Sequence, residues 1–100
     1  IFAFDDPKTA DALRFIRDNS CRKTTVAEVA LFSQISRREL ERNFKRELNS
    51  SPHKEIQRAR ISRVSNLLLC TTLSLEQISD ALGFSEVSNM ATLFKKIDII

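Results

Sequence analysis

Glycine, proline, tryptophan and tyrosine are scarce or missing in this 100-residue chain, which has one Gly, two Pro, no Trp and no Tyr. With a single glycine, a Gly-rich phosphate loop is excluded. The abundance of Leu, Ala, Arg, Lys and Glu favours helix instead. Cysteine is equally sparse: Cys21 and Cys70 stand far apart and form neither a metal-ligand pattern nor a disulfide framework. They are expected to be free thiols, with Cys70 on or near the core stripe. One histidine, His53, argues against a zinc site or His-based catalysis and is expected on the surface. No apolar run exceeds Leu67-Leu68-Leu69-Cys70, too short to span a bilayer. No charged-then-apolar leader opens the chain, so a secretory signal is not expected. The start at Ile1 rather than Met points to a fragment of something longer, and the composition to a cytoplasmic helical module. Neither a nucleophile–base pair nor a carboxylate dyad is present, so an enzyme is not expected, nor any cofactor.

Charge is unevenly distributed. The formal net charge is +3. Residues 37–63 hold nine basic side chains (Arg37, Arg38, Arg42, Lys45, Arg46, Lys54, Arg58, Arg60 and Arg63) against four acidic ones. From 64 to 94 there is no Lys or Arg at all. A concentrated basic stretch is the footprint of a polyanion-binding surface, although a solvated helix face has the same composition.

Capping signals divide the chain into helices. Asp6-Pro7 opens a helix running to about Asn19. Thr25-Val26-Ala27-Glu28, Ser36-Arg37-Arg38-Glu39 and Ser74-Leu75-Glu76-Gln77 are capping boxes, in which a hydroxyl and an acid or amide satisfy free backbone N–H groups reciprocally. Ser51-Pro52 opens the longest helix, to about Leu69. Gly83 stands where a helix ends in a left-handed residue, and Ser85 restarts a final helix through about Lys96. Six helices and no strand make the chain all-α. Phe15, Phe32, Phe44, Phe84 and Phe94 are expected in the core, with Phe2 and Phe4 on an N-terminal arm.

A repeat lies beneath this pattern. Val29-Ala30, Ile35-Ser36, Leu40 and Phe44-Lys45 recur as Ile78-Ser79, Phe84-Ser85, Met90 and Phe94-Lys95 about 50 positions later. Each copy reads as a short capped helix, a tight turn and a longer helix, which is helix-turn-helix organisation found twice. The helix between them carries a broad apolar stripe of Ile56, Ala59, Ile61, Val64, Leu67 and Leu68. At about 1.5 Å per residue it is on the order of 27 Å long. Successive major-groove faces of a duplex recur every ~34 Å, so such a rod can hold two reading helices in adjacent grooves.

With these units in place, the sequence resembles the DNA-binding domain of the AraC/XylS family of bacterial transcription regulators. The matching residues include Val29-Ala30, Ser36, Leu40, Arg42, Phe44-Lys45, Ser51-Pro52, Arg60, Leu67-Leu68, Ile78, Gly83-Phe84, Ser88 and Phe94-Lys95. Within the family, Arg37 to Arg42 followed by Ser51 to Ile56 is most similar to xylose-operon activators. The resemblance implies two homeodomain-like three-helical units across residues 1–100. The first is expected at 7–50, a linker helix at 51–70, and the second at 74–100, expected to be truncated before a closing helix. It also implies double-stranded DNA as partner, a small-molecule effector bound by a separate domain, RNA polymerase as a further partner, and no membrane. Four departures stand out. Gln34 replaces a frequent Gly in the first turn, which is expected to be strained or differently shaped. Ser79 replaces Ala, and Asn89 to Thr92 lack the usual Arg. The fourth is the chain's end at Ile100.

The resemblance places Arg38, Glu41 and Arg42 at base-reading positions and Arg37 at a phosphate-contacting one. Arginine pairs bidentately with guanine, and a carboxylate accepts from cytosine N4. In the second unit Met90 and Phe94 are expected inward, turning Glu86, Val87, Ser88, Asn89 and Thr92 toward the groove. Of these, Val87, Ser88, Asn89 and Thr92 are candidate base readers, with Asn89 suited to adenine and Val87 to a thymine methyl. Lys45, Arg46 and Lys95 are the remaining phosphate candidates. Two alternatives stay open. Arg37 and Glu41 have the spacing of an ordinary surface ion pair, and the chain could be a basic helical module that binds an acidic protein.

Overall fold

Two apolar clusters share one helix. The computed structural model describes residues 7–97, which fold into α1 (Pro7–Asp18), α2 (Val26–Ser33), α3 (Arg37–Leu48), α4 (Pro52–Cys70), α5 (Leu75–Ala81) and α6 (Val87–Ile97). Among the described residues there is no strand. The all-α expectation therefore holds, while Asp6, Phe2 and Phe4 lie outside the described residues.

The caps explain where the helices begin. Thr25 Oγ1 accepts from Glu28 N (3.2 Å) and the Glu28 carboxylate accepts from Thr25 N (3.1 Å). That backbone N–H is the main reason the Glu28 carboxyl is held below its ordinary pKa. Ser74 and Gln77 close the same box at 3.2 and 2.8 Å. Ser51 accepts from Lys54 N (3.1 Å), ahead of Pro52 at the first turn of α4. The expected box at Ser36 forms only by half: its hydroxyl accepts from Glu39 N (3.1 Å), without the return bond.

Three helices stop in the same way, at a left-handed residue followed by a bond back across the last turn. Gln34 (φ 60°), Asn49 (φ 50°) and Gly83 (φ 76°) occupy that position. The next residues, Ile35, Ser50 and Phe84, donate to the carbonyls of Ala30, Phe44 and Ser79. Gln34 thus keeps the conformation expected of a glycine there, at a conformational cost of about 1–2 kcal/mol.

Ala12, Ile16, Val26, Val29, Ala30, Leu40, Phe44 and Ile56 form the first cluster, drawn from α1 to α4. Ile61, Val64, Ile78, Leu82 and Met90 form the second, drawn from α4 to α6. Helix α4, 19 residues and about 28 Å long, gives its first half to one cluster and its second half to the other.

Several expectations about the core need correction. Phe32 is 55 % exposed, stacked on half-buried Phe15 at 4.6 Å between ring centroids. Phe84 and Phe94 are half-buried against the second cluster. Both cysteines are free, and Cys70 is exposed because the last turn of α4 extends past the second core.

Candidate nucleic-acid interface

Helix α3 sorts its residues by face. Its buried side is Leu40, Asn43 and Phe44. At 100° per residue, Arg38, Glu41, Arg42 and Lys45 then fall on the outer side, whereas Arg37 lies only about 20° from Phe44 around the helix; at the first turn it is nonetheless exposed, as are the other four. Arg37 Nε meets Glu41 Oε2 at 3.3 Å, the surface pair anticipated from the spacing. Arg38, Arg42 and Lys45 enter no ion pair among the described residues and project freely into solvent. Arg46 is exposed but leans on Glu47 (3.3 Å), whose carboxylate also accepts from Thr9 Oγ1 (3.1 Å).

Helix α6 is built differently. It starts at Val87, not at Ser85, and Met90 N donates to Glu86 O (3.3 Å), which puts Glu86 at the cap. Val87 stands seven residues before Phe94 and three before Met90, hence on their side of the helix, and it is half-buried with them against the second cluster. The expected outward Val87 is thus corrected. Ser88, Asn89 and Thr92 do face outward. The Asn89 amide nitrogen donates to Ser85 Oγ (2.6 Å), and Thr92 Oγ1 donates to Ser88 O (2.8 Å). Both side chains therefore have part of their hydrogen-bonding capacity already committed. Lys95 and Lys96 are exposed in the last turn.

The basic surplus of residues 37–63 is smaller at the surface than by count. Arg58 pairs with Glu55 (3.2 Å), and Arg63 donates from Nη2 to Ser20 Oγ (3.2 Å). Arg60 is only 7 % exposed. Its Nη2 donates to Leu82 O (2.6 Å), and its guanidinium lies 4.3 Å from the centre of the Phe84 ring. Burial pulls its pKa below the ordinary arginine value, yet it stays protonated at neutral pH. Arg60 thus joins α4 to the turn ahead of α6, a role that sequence reading missed. The available signal was its register: it sits four residues from both Ile56 and Val64, on the apolar stripe.

No group of three or more His, Cys, Asp or Glu side chains that could hold a metal occurs among the described residues. His53 is exposed, as expected. No described helix is long and apolar enough to cross a membrane.

The arrangement has clear relatives. A family model described as a helix-turn-helix domain matches residues 29–97. The xylose operon regulatory protein of Haemophilus influenzae is 34% identical over 91 residues, 91% of this chain and 24% of that protein. The chain thus spans about a quarter of the length of the curated relatives it matches. A solved structure titled as a xylose-binding transcription activator, xylR, superposes with TM-score 0.85 at 31% identity, covering 96% of this chain and 25% of that one. An AraC-type DNA-binding-domain regulator from Chromobacterium violaceum gives TM-score 0.85 at 31% identity, covering 94% and 84%. By matched family model, shared fold and doubled helix-turn-helix, the chain belongs to the AraC-type helix-turn-helix family of DNA-binding domains from transcription regulators.

Proposed function

We propose that this chain is the part of a bacterial transcription regulator that reads duplex DNA, with α3 and α6 entering successive major grooves on one side. The observation that carries the reading is the outward face of α3, where Arg38, Arg42 and Lys45 stand uncommitted on a helix whose other face is core. Arg38, Arg42 and Glu41 read base edges, Glu41 adding selectivity rather than affinity because it repels phosphate. Arg37, Lys45, Arg46 and Lys95 contact phosphates, and the Arg37–Glu41 pair exchanges partners when a phosphate arrives. In the second unit Ser88, Asn89 and Thr92 meet the groove. Residues 7–50, 51–70 and 74 onward act as first reader, rod and second reader.

Similarity to xylose operon regulators supports a sugar-responsive, cytoplasmic regulator. Its small-molecule effector binds outside this segment, and the regulator acts on RNA polymerase. Selection of bound sites from a random duplex library tests the DNA reading. A two-part consensus is the expected result. A basic module built for an acidic protein would return no consensus. With about five to eight phosphate contacts, the log–log salt slope should lie near −4.5 to −7.

A further inference from the structure

A cleft of about 270 Å³ runs from the first turn of α4, which follows α3 after three residues, to α6, lined by Lys23, His53, Gln57, Arg60, Ser85 and Asn89 among others, and by no carboxylate. Its floor is α4, where His53, Gln57 and Arg60 fall within about 60° of one another around the helix. One wall is the α1–α2 loop, and the other is the turn and first residues of α6. Asn89 stands at the edge of the outward face of α6, so the cleft opens beside that reading surface. The two loops approach closely here: a Cβ built on Gly83 would lie 3.9 Å from the backbone nitrogen of Lys23.

The chemistry of the cleft is one-sided. Arg60 is a nearly buried cation held by one carbonyl and one aromatic face. Its Nη1 has no hydrogen-bond partner, and no carboxylate pairs with it among the described residues. A buried cation left without a counter-charge favours an anion in front of it. Lys23 and His53, both exposed, add donors at the rim. Ser85 Oγ accepts from Asn89, which leaves its own hydroxyl hydrogen free to donate.

A duplex lying across α3 and α6 turns its minor groove, edged by sugar–phosphate strands, toward the region between them. We propose that this cleft is a phosphate site for the DNA backbone between the two half-sites, with Lys23, His53 and Ser85 as contacts and Arg60 supplying charge from behind. This inference rests on the DNA reading above and adds a third point of contact, which fixes the separation of the two half-sites.

The test uses this chain and its selected duplex, at one fixed salt concentration. A series of duplexes carries a single neutral methylphosphonate at each successive phosphate of the spacer. The expected result is a loss of about 5- to 20-fold at one or two adjacent spacer phosphates, the size of a charge-assisted phosphate contact. In the Lys23→Gln/His53→Gln double variant, the natural duplex binds correspondingly more weakly and the spacer penalty disappears. His53→Glu, which puts a carboxylate into the cleft, should lose more than His53→Gln. Both positions are exposed, and unchanged thermal melts verify that the fold is intact. Two outcomes overturn the phosphate site and leave the DNA reading standing. One is wild-type indifference throughout the spacer while half-site phosphates matter; the other is a penalty that persists in the double variant. If no duplex is bound selectively, the DNA reading itself fails, and the cleft proposal with it.

Discussion

The two helix-turn-helix units repeat one sequence pattern but differ in construction. The first buries eight residues in its core, the second five. Phe44 is fully buried, whereas its counterpart Phe94 is half-exposed. The first unit has α1 packed against α2 and α3. Around the second, Leu68, Leu69, Leu73 and Leu75 are exposed, and Leu68 and Leu75 edge an apolar depression floored by Val64 and Met90. Their outward faces also differ: α3 offers Arg38, Arg42 and Lys45, and α6 offers Ser88, Asn89 and Thr92. The lesson is that a repeat preserves the turn and the inward positions, because the core constrains them, while the groove-facing positions diverge freely. Packing is concentrated in the first unit, and affinity is expected to be concentrated there too.

The largest expected effect tests the packing half of that contrast. Phe44→Ala removes a ring that is 0 % exposed, and should cost about 3–5 kcal/mol in a urea melt. Phe94→Ala, at the matching position, should cost roughly half as much, since part of its surface already meets water. Equal losses would show that the two cores contribute equally.

Next in size is Gly83→Val. Space is not the obstacle, because a Cβ there meets only Lys23 N at the ordinary distance of 3.9 Å. The cost comes from forcing a β-branched residue to φ 76°, about 1–3 kcal/mol. Coincident thermal melts of wild type and variant would contradict it.

The local elements were legible because their causes are local. The caps at Thr25, Ser51 and Ser74, the stop at Gly83 and the two inward rows each depend on residues within one turn. Misread residues depend on what lies across the fold. Arg60 counts as surface charge until Leu82 O and Phe84, more than twenty positions on, close over it. Val87 is the exception, a local signal passed over: seven residues before Phe94, it lies within about 20° of it around α6 and so shares the inward face. Phe32 looks like core from its apolar neighbours, yet α2 buries Val29 and Ala30 and leaves Leu31 and Phe32 outside. Among the candidate site residues, the outward position of Arg38, Glu41, Arg42 and Lys45 was legible because an amphipathic helix with a fixed inner face has only one outer face.

Binding measurements test the second half of the contrast. Arg42→Ala should cost about 1–3 kcal/mol and relax preference at one or two base pairs of the first half-site. Arg38→Ala should behave similarly. Asn89→Ala should cost less than about 1 kcal/mol, because its amide is already tied to Ser85 and its loss strips no charge from the groove. Lys95→Ala should weaken all sequences alike, as a phosphate contact carries no base information. Site selection repeated with each variant decides the matter. The proposed asymmetry fails if Asn89→Ala erases more sequence preference than Arg42→Ala.

The smallest expected effect comes from the two equivalent turns. Gln34 and Gly83 each follow the short helix of their unit, and each adopts positive φ (60° and 76°) with the same return bond from the next residue. Only Gly83 is free of strain there, so Gln34→Gly should relieve the first turn. The relief is partial, because glycine also enlarges the conformational freedom of the unfolded chain by roughly 0.5–1 kcal/mol. Set against about 1–2 kcal/mol for a non-glycine residue in the left-handed region, the net gain should be under about 1 kcal/mol. Gln34 is exposed, so its side chain contributes little packing that the change would forfeit. Gly83→Gln should shift stability the opposite way by a similar amount, and the double swap should return close to wild type. Sites in separate turns are expected to add. A gain at Gln34→Gly without the matching loss at Gly83→Gln would mean that the two turns, alike in backbone, are held by different surroundings.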